Sequence, residues 1–137
     1  MDPLFKLTDL EFQRQFADCS LKPTFFNHIG HLRLAWIHIK IFGIDKAIDN
    51  VCSQIKKYDA THDDGTKFHT TLTIASLRTV YHFFLKSESD TFTEFIAEFP
   101  MLEKNFKELI SAHYSLKCIT SSKAKKEYVA PDLMAYD

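Results

Sequence analysis

The 137-residue chain predicts an all-α fold, a compact single-domain bundle of about five to six helices. Apolar residues recur at helical spacing from end to end, and no stretch keeps the two-residue alternation of a half-buried strand. Helix punctuation is clear, with side-chain caps opening segments and proline or glycine closing them. Core material is ample: 45% of residues are hydrophobic, and 13 are phenylalanine.

Each element follows from those signals. Thr8-Asp9-Leu10-Glu11 has the form of a capping box, and Leu10, Phe12, Phe16 and Ala17 follow at helical intervals. Lys22-Pro23 breaks the chain. Thr24 is then positioned to cap a long helix that Gly43 stops. Asp45 caps a third, with Ile48, Val51, Cys52, Ile55 and Tyr58 as its apolar stripe. His62-Asp63-Asp64-Gly65 is a turn, and a fourth helix spans about 67–86. Residues 87–90 connect to a short helix that ends before Pro100. Another carries Leu102, Phe106, Leu109, Ile110 and His113. Residues 121–127 suit a short basic helix, and 128–137 an extended tail.

Composition narrows the function. A formal net charge of −1 offers no field for nucleic acid or an acidic membrane. The first residues have neither the basic nor the apolar region of a signal peptide. Residues 24–43 are apolar enough to raise the membrane question, but His28, His31, Arg33, His38 and Lys40 argue against a lipid-facing span. Cys19, Cys52 and Cys118 are odd in number and form no CxxC pair, which suits reduced thiols in the cytoplasm.

The chemistry-bearing residues are histidines. His28, His31 and His38 fall on one stripe of the second helix, with Ala35 between them. His28 and His31, three residues apart, can hold one metal ion from a single helix, and a third ligand must come from elsewhere. His69, in the first turn of the fourth helix, is the candidate, with Thr70, Thr71 and Thr73 around it as supporting groups. Three neutral imidazoles would leave a coordination position for water, the pattern of a hydrolytic zinc site, whereas non-haem iron normally adds a carboxylate. His38 fits better as a core residue, as do His82 and His113, and His62 as a solvated turn residue. Arg33, on a mostly apolar helix, needs either an anionic ligand or a structural carboxylate.

The stretch Phe26-Asn27-His28-x-x-His31-Leu32-Arg33-Leu34-Ala35-Trp36 resembles the opening signature of a set of small bacterial all-helical proteins. The later blocks Lys67-Phe68-His69-Thr70-Thr71-Leu72-Thr73, Tyr114-Ser115, Ser121, Ala124-Lys125 and Pro131-Asp132-Leu133 follow in the same order. The set has no assigned reaction, so the resemblance implies a shared architecture and histidine site. Thr70 stands where that pattern has glutamate. The change is mild if the position caps a helix, and consequential if it is a ligand or base.

Other motifs carry less. His69-Thr70-Thr71-Leu72 matches one element of two-histidine phosphoesterases, but no second copy exists. Arg33 and His38 fit the loose R-x4-H of helical HEPN-type ribonucleases, although that spacing sets the side chains roughly 140° apart on a regular helix. Lys117, Lys123, Lys125 and Lys126 lack the interleaved aromatics of a nucleic-acid surface. The leading expectation is an internal His-lined pocket holding zinc or iron, in a metal-binding protein or metal-dependent enzyme, with Arg33 orienting a small-molecule ligand. The alternatives are a metal-free module binding a small ligand, and a structural or interaction protein with satisfied core histidines.

Overall fold

The computed structural model describes residues 6–137. Among them the regular elements are all helical: α1 (Asp9–Ala17), α2 (His28–Phe42), α3 (Ile44–His62), α4 (Thr70–Phe84), α5 (Phe92–Glu98), α6 (Met101–Lys104), α7 (Phe106–Ser111), α8 (Leu116–Ile119) and α9 (Ser122–Lys126). The all-α expectation holds, and the larger helix number comes from the short elements α6 to α9. The chain divides into two compact units, Met1–Phe68 and His69–Asp137. No helix of the described residues is long and apolar enough to cross a membrane.

The first unit is built on an α2–α3 hairpin with α1 packed against both. Thr8 and Glu11 cap α1 reciprocally, as the sequence predicts. The start of α2 differs from expectation. Pro23–Phe25 forms a single 3-10 turn, and the helix opens at His28 under an Asn27 cap, whose Oδ1 accepts the Gly30 N–H at 2.9 Å. Thr24 caps nothing because proline holds it inside that turn. Gly30 has a steric reason: a Cβ there would run into the Phe25 carbonyl oxygen. Gly43, at φ +80°, ends α2 and directly precedes α3, a left-handed conformation that favours glycine. Asp45 therefore lies inside the first turn of α3 instead of capping it.

Residues 32–39 of α2 are all buried, as so apolar a helix requires. Trp36, Leu34 and Ile37 join Phe12, Phe16 and Leu21 in the core of this unit. His38 lies among them with no exposed surface, and neither ring nitrogen has a hydrogen-bond partner among the described residues. Burial pushes its pKa down to about 4, so the ring is neutral at ordinary pH. At the far end of α3, the Asp59 carboxylate accepts the backbone N–H groups of Lys67 and Phe68, both at 2.9 Å. One buried carboxylate thus fixes the chain where it leaves the turn after α3.

In the second unit α4 packs on α7 and α9. Ala75, Ile110 and Tyr114 form a buried cluster, flanked by Phe106, Cys118, Ile119 and Tyr136. The helix expected around 102–113 is interrupted at Asn105, giving α6 and α7. Ser115 caps α8, an element with too few residues to show a periodic pattern.

Residues 128–137 form no helix or strand, and they are tied down along α4 and the end of α7. Tyr114 donates its hydroxyl to the Val129 carbonyl at 2.6 Å. The Asp132 carboxylate takes both the N–H and the hydroxyl of Ser115, at 2.9 and 2.6 Å. The Leu133 N–H reaches the His113 carbonyl, and the Tyr136 ring stacks on the His113 ring at 3.7 Å. Finally, His82 Nδ1 meets the Asp137 carboxylate at 2.8 Å.

Three outcomes follow from this packing. Gly30→Ala loses about 2 kcal/mol or more in urea unfolding, because the Phe25 carbonyl must move for the new methyl group. Asp132→Ala lowers the melting temperature and speeds amide exchange at Ser115. For His38 the folded pKa lies below the ordinary 6.5. Its contribution is therefore complete above pH 6.5, falls away as pH drops toward 4, and reaches a loss of up to about 3 kcal/mol. His38→Leu removes that part of the acid sensitivity and raises stability at pH 7, since no hydrogen bond is lost with the ring. Melting curves at pH 4.5, 5.5 and 7 read both effects.

Candidate histidine site

The first turn of α2 places two imidazoles side by side. His28 is the opening residue of the helix and His31 lies one turn on; both residues are exposed. Neighbours at this spacing have Cβ atoms about 5–6 Å apart. His31 is held in one orientation. Its Nδ1 donates to the Asn27 carbonyl oxygen at 2.8 Å, and its ring lies on Phe26 with centroids 3.7 Å apart. Phe26 is itself wedged against Phe16 and Tyr58, at 4.6 and 5.3 Å.

That hydrogen bond fixes the tautomer, because a carbonyl oxygen only accepts. In the neutral ring the proton is on Nδ1, and Nε2 carries the lone pair. Nε2 makes no hydrogen bond among the described residues. Although the residue is exposed, the stacked ring is desolvated, and this lowers the His31 pKa. The bond to Asn27 opposes the shift, and the nearby His28 adds to it. His31 is thus neutral at physiological pH, with a lone pair directed away from its own tether.

His69 is arranged differently. It is the N-cap of α4 and lies one position before the first turn in which the sequence placed it. Its Nδ1 accepts the Leu72 N–H at 3.0 Å, and its Nε2–H donates to the Ile119 carbonyl at 2.8 Å. Both nitrogens are therefore engaged inside the second unit, and neither has a lone pair to spare for an ion. Thr70 donates to the Lys126 carbonyl at 3.3 Å, and Thr73 to the His69 carbonyl at 2.7 Å. Thr71, grouped in the sequence with Thr70 and Thr73 as a supporting residue, is buried between the Glu127 carbonyl and the Val129 N–H. Thr70 thus occupies a helix-opening position and ties the α9 end to α4. Among the described residues, no three His, Cys, Asp or Glu side chains form a group able to hold a metal ion.

Arg33 is buried, and its charge is answered within the first unit. Nη2 reaches Asp9 Oδ1 at 3.0 Å and the Leu7 carbonyl at 2.6 Å, while Nε adds a bond to Asp9 at 3.3 Å. The guanidinium also lies 5.0 Å from the centre of the Phe12 ring. Of the two roles weighed for Arg33, a structural carboxylate partner is the one observed. Arg33 and His38 are both sealed in the core, so an R-x4-H pair facing a phosphodiester does not form.

The remaining polar groups of note are structural. His62 bonds through Nε2 to the Cys19 carbonyl at 2.6 Å, so it is tethered rather than merely solvated. His113 bonds through Nδ1 to the Met134 carbonyl. Burial pushes the Cys52 thiol up to about 11, with Asp49 adding to the shift, and Cys118 also shifts upward through burial. These thiols are poor nucleophiles. Neither the clamping role of Asp59 nor the capping role of Asn27 is evident from the sequence. A side chain that caps or clamps backbone N–H groups leaves only a short local pattern, and several readings fit each such pattern.

The chain matches no family model, no curated protein and no solved structure. Function must therefore be argued from the site alone.

Proposed function

We propose that this chain is a metal-binding protein whose ion is taken by His28 and His31 at the start of α2. The observation that carries this reading is the tether on His31: Nδ1–H bound to a backbone carbonyl at 2.8 Å, leaving Nε2 as the free donor. Metal-binding histidines are usually oriented in this way, with the second ring nitrogen donating to a carbonyl or carboxylate. Stacking on Phe26 adds rigidity, so little ring freedom is lost when an ion binds. The lowered pKa of His31 also reduces proton competition near neutral pH. An all-imidazole donor set favours zinc or a neighbouring late transition metal over iron, which would want a carboxylate.

In this proposal His69 is not a ligand, and Arg33, Thr70 and Thr73 hold helices together. The ion keeps open positions at which water or a small molecule can bind. Those positions are where any Lewis-acid chemistry of the protein would take place.

Equilibrium dialysis of tag-free protein against zinc chloride tests the reading. Wild-type protein should retain zinc and melt at higher temperature in its presence. His28→Ala and His31→Ala should each weaken binding at least tenfold, and the double variant should abolish it. His69→Asn, which keeps a capping acceptor for the Leu72 N–H, should bind as wild type. Wild-type affinity in the double variant would sink the proposal. Loss of binding in His69→Asn with the fold intact would return that residue to the ligand set.

A further inference from the structure

Beyond Asp132 the strap of residues 128–137 is held in the way a bound peptide is held. His113 grips its backbone twice: the Leu133 N–H donates to the His113 carbonyl at 3.0 Å, and His113 Nδ1 donates to the Met134 carbonyl at 2.7 Å. The Tyr136 ring stacks on the His113 imidazole and packs against the buried cluster of Ala75, Ile110 and Tyr114. Thr79 donates its one hydroxyl proton to the Ala75 carbonyl at 2.8 Å. Toward Tyr136 it is therefore an acceptor, with the two hydroxyl oxygens 3.1 Å apart. Next to it His82 Nδ1 donates to the Asp137 carboxylate at 2.8 Å, a bond that holds this carboxyl below its ordinary range. Among residues 132–137, Tyr136 alone is not exposed.

We propose that this slot is a peptide-binding site, closed by the chain's own Tyr136 and Asp137, which give way to a partner segment carrying tyrosine followed by an acidic residue. Each wall of the slot reads one feature of such a segment. The His113 grip takes an extended backbone through one N–H and one carbonyl and ignores the side chains between them. The imidazole face and the apolar cluster take an aromatic ring. Thr79 selects tyrosine over phenylalanine, because its acceptor is left unmatched without a phenolic O–H. His82 takes the carboxylate. The strap end is suited to release, since one ring is its single inserted side chain and its bonds to His82 and His113 are open to water. The bonds from Tyr114 to Val129 and from Ser115 to Asp132 keep the strap attached while its end lifts. The closed form thus competes with a partner as an intramolecular ligand. The site lies wholly in the second unit and shares no residue with the proposed metal site.

The probe is a fluorescein-labelled, amidated peptide of residues 133–137, titrated into the full chain and followed by anisotropy. The wild-type protein should bind it, and the Tyr136 ring signals should move to their solvent-exposed positions in NMR spectra. Tyr136→Ala removes the competing ring and should bind about tenfold more tightly. Tyr136→Phe, which keeps the packing and loses only the bond to Thr79, should also bind more tightly than wild type. A probe with phenylalanine in place of tyrosine should bind about tenfold more weakly. Thr79→Val should abolish that preference. The proposal is overturned if neither variant binds the probe more tightly than wild type. It is equally overturned if the tyrosine and phenylalanine probes bind alike, or if the wild-type Tyr136 signals stay unmoved at saturating probe.

Discussion

A helix leaves its first four N–H groups and last four carbonyls without partners inside the helix, and a short helix has few residues over which to spread that cost. The second unit contains α4 and five helices of four to seven residues, so it is dominated by helix ends. Its order depends on how those ends are satisfied. Thr91, Ser115 and Ser121 cap α5, α8 and α9 with hydroxyls, and His69 caps α4 with an imidazole nitrogen. The extended segment from Tyr128 onward performs the same task in reverse, offering its carbonyls to Tyr114 and His113 and its Asp132 carboxylate to the Ser115 cap. Few of these bonds are worth more than about 1 kcal/mol net, but leaving the buried ones unmade would cost more than forming them gains.

The same constraint explains why histidines of one chain have different uses. His69 spends one nitrogen as acceptor and the other as donor, and so is a structural bridge from the start of α4 to the end of α8. His31 spends only Nδ1, on the carbonyl of its own cap residue, and keeps Nε2. His38 spends neither and is held by packing alone. Residue type does not distinguish these three cases. The backbone groups that each ring meets decide whether it is a bridge, a ring with one nitrogen to spare, or an acid-sensitive weakness in the core.

Much of the fold was legible because it rests on local periodicity. The capping box at Thr8, the turn at Gly43 and the amphipathic stripe of α3 involve residues within a few positions of one another. The division of the histidines was not legible. The Ile119 carbonyl that engages His69 lies fifty residues away, and Asn27 displaced Thr24 as the cap because Pro23 drew Thr24 into a 3-10 turn. Arg33 shows the same limit. A buried guanidinium needs an anion, but only the packing of α1 against α2 selects Asp9 over a ligand. The expected third metal ligand failed for a related reason: helical pitch defines angles within one helix and says nothing about which acceptor a capping side chain finds.

These distinctions also bear on why exposed and buried histidines differ in what they cost the fold. An interior three-histidine pocket would leave polar rings facing one another in the core, each costly to bury without a partner. A pair on an exposed first turn avoids that cost, because both residues are open to solvent. The orientation of His31 comes from the Asn27 carbonyl and the Phe26 ring, the latter packed against Phe16 of α1 and Tyr58 of α3. A two-donor site of the kind proposed would bind more weakly than a four-donor cage, and would leave coordination positions for water or a small ligand. The burial of Arg33 against Asp9 is consistent with that arrangement, because an exposed guanidinium two residues from His31 would oppose any cation bound there.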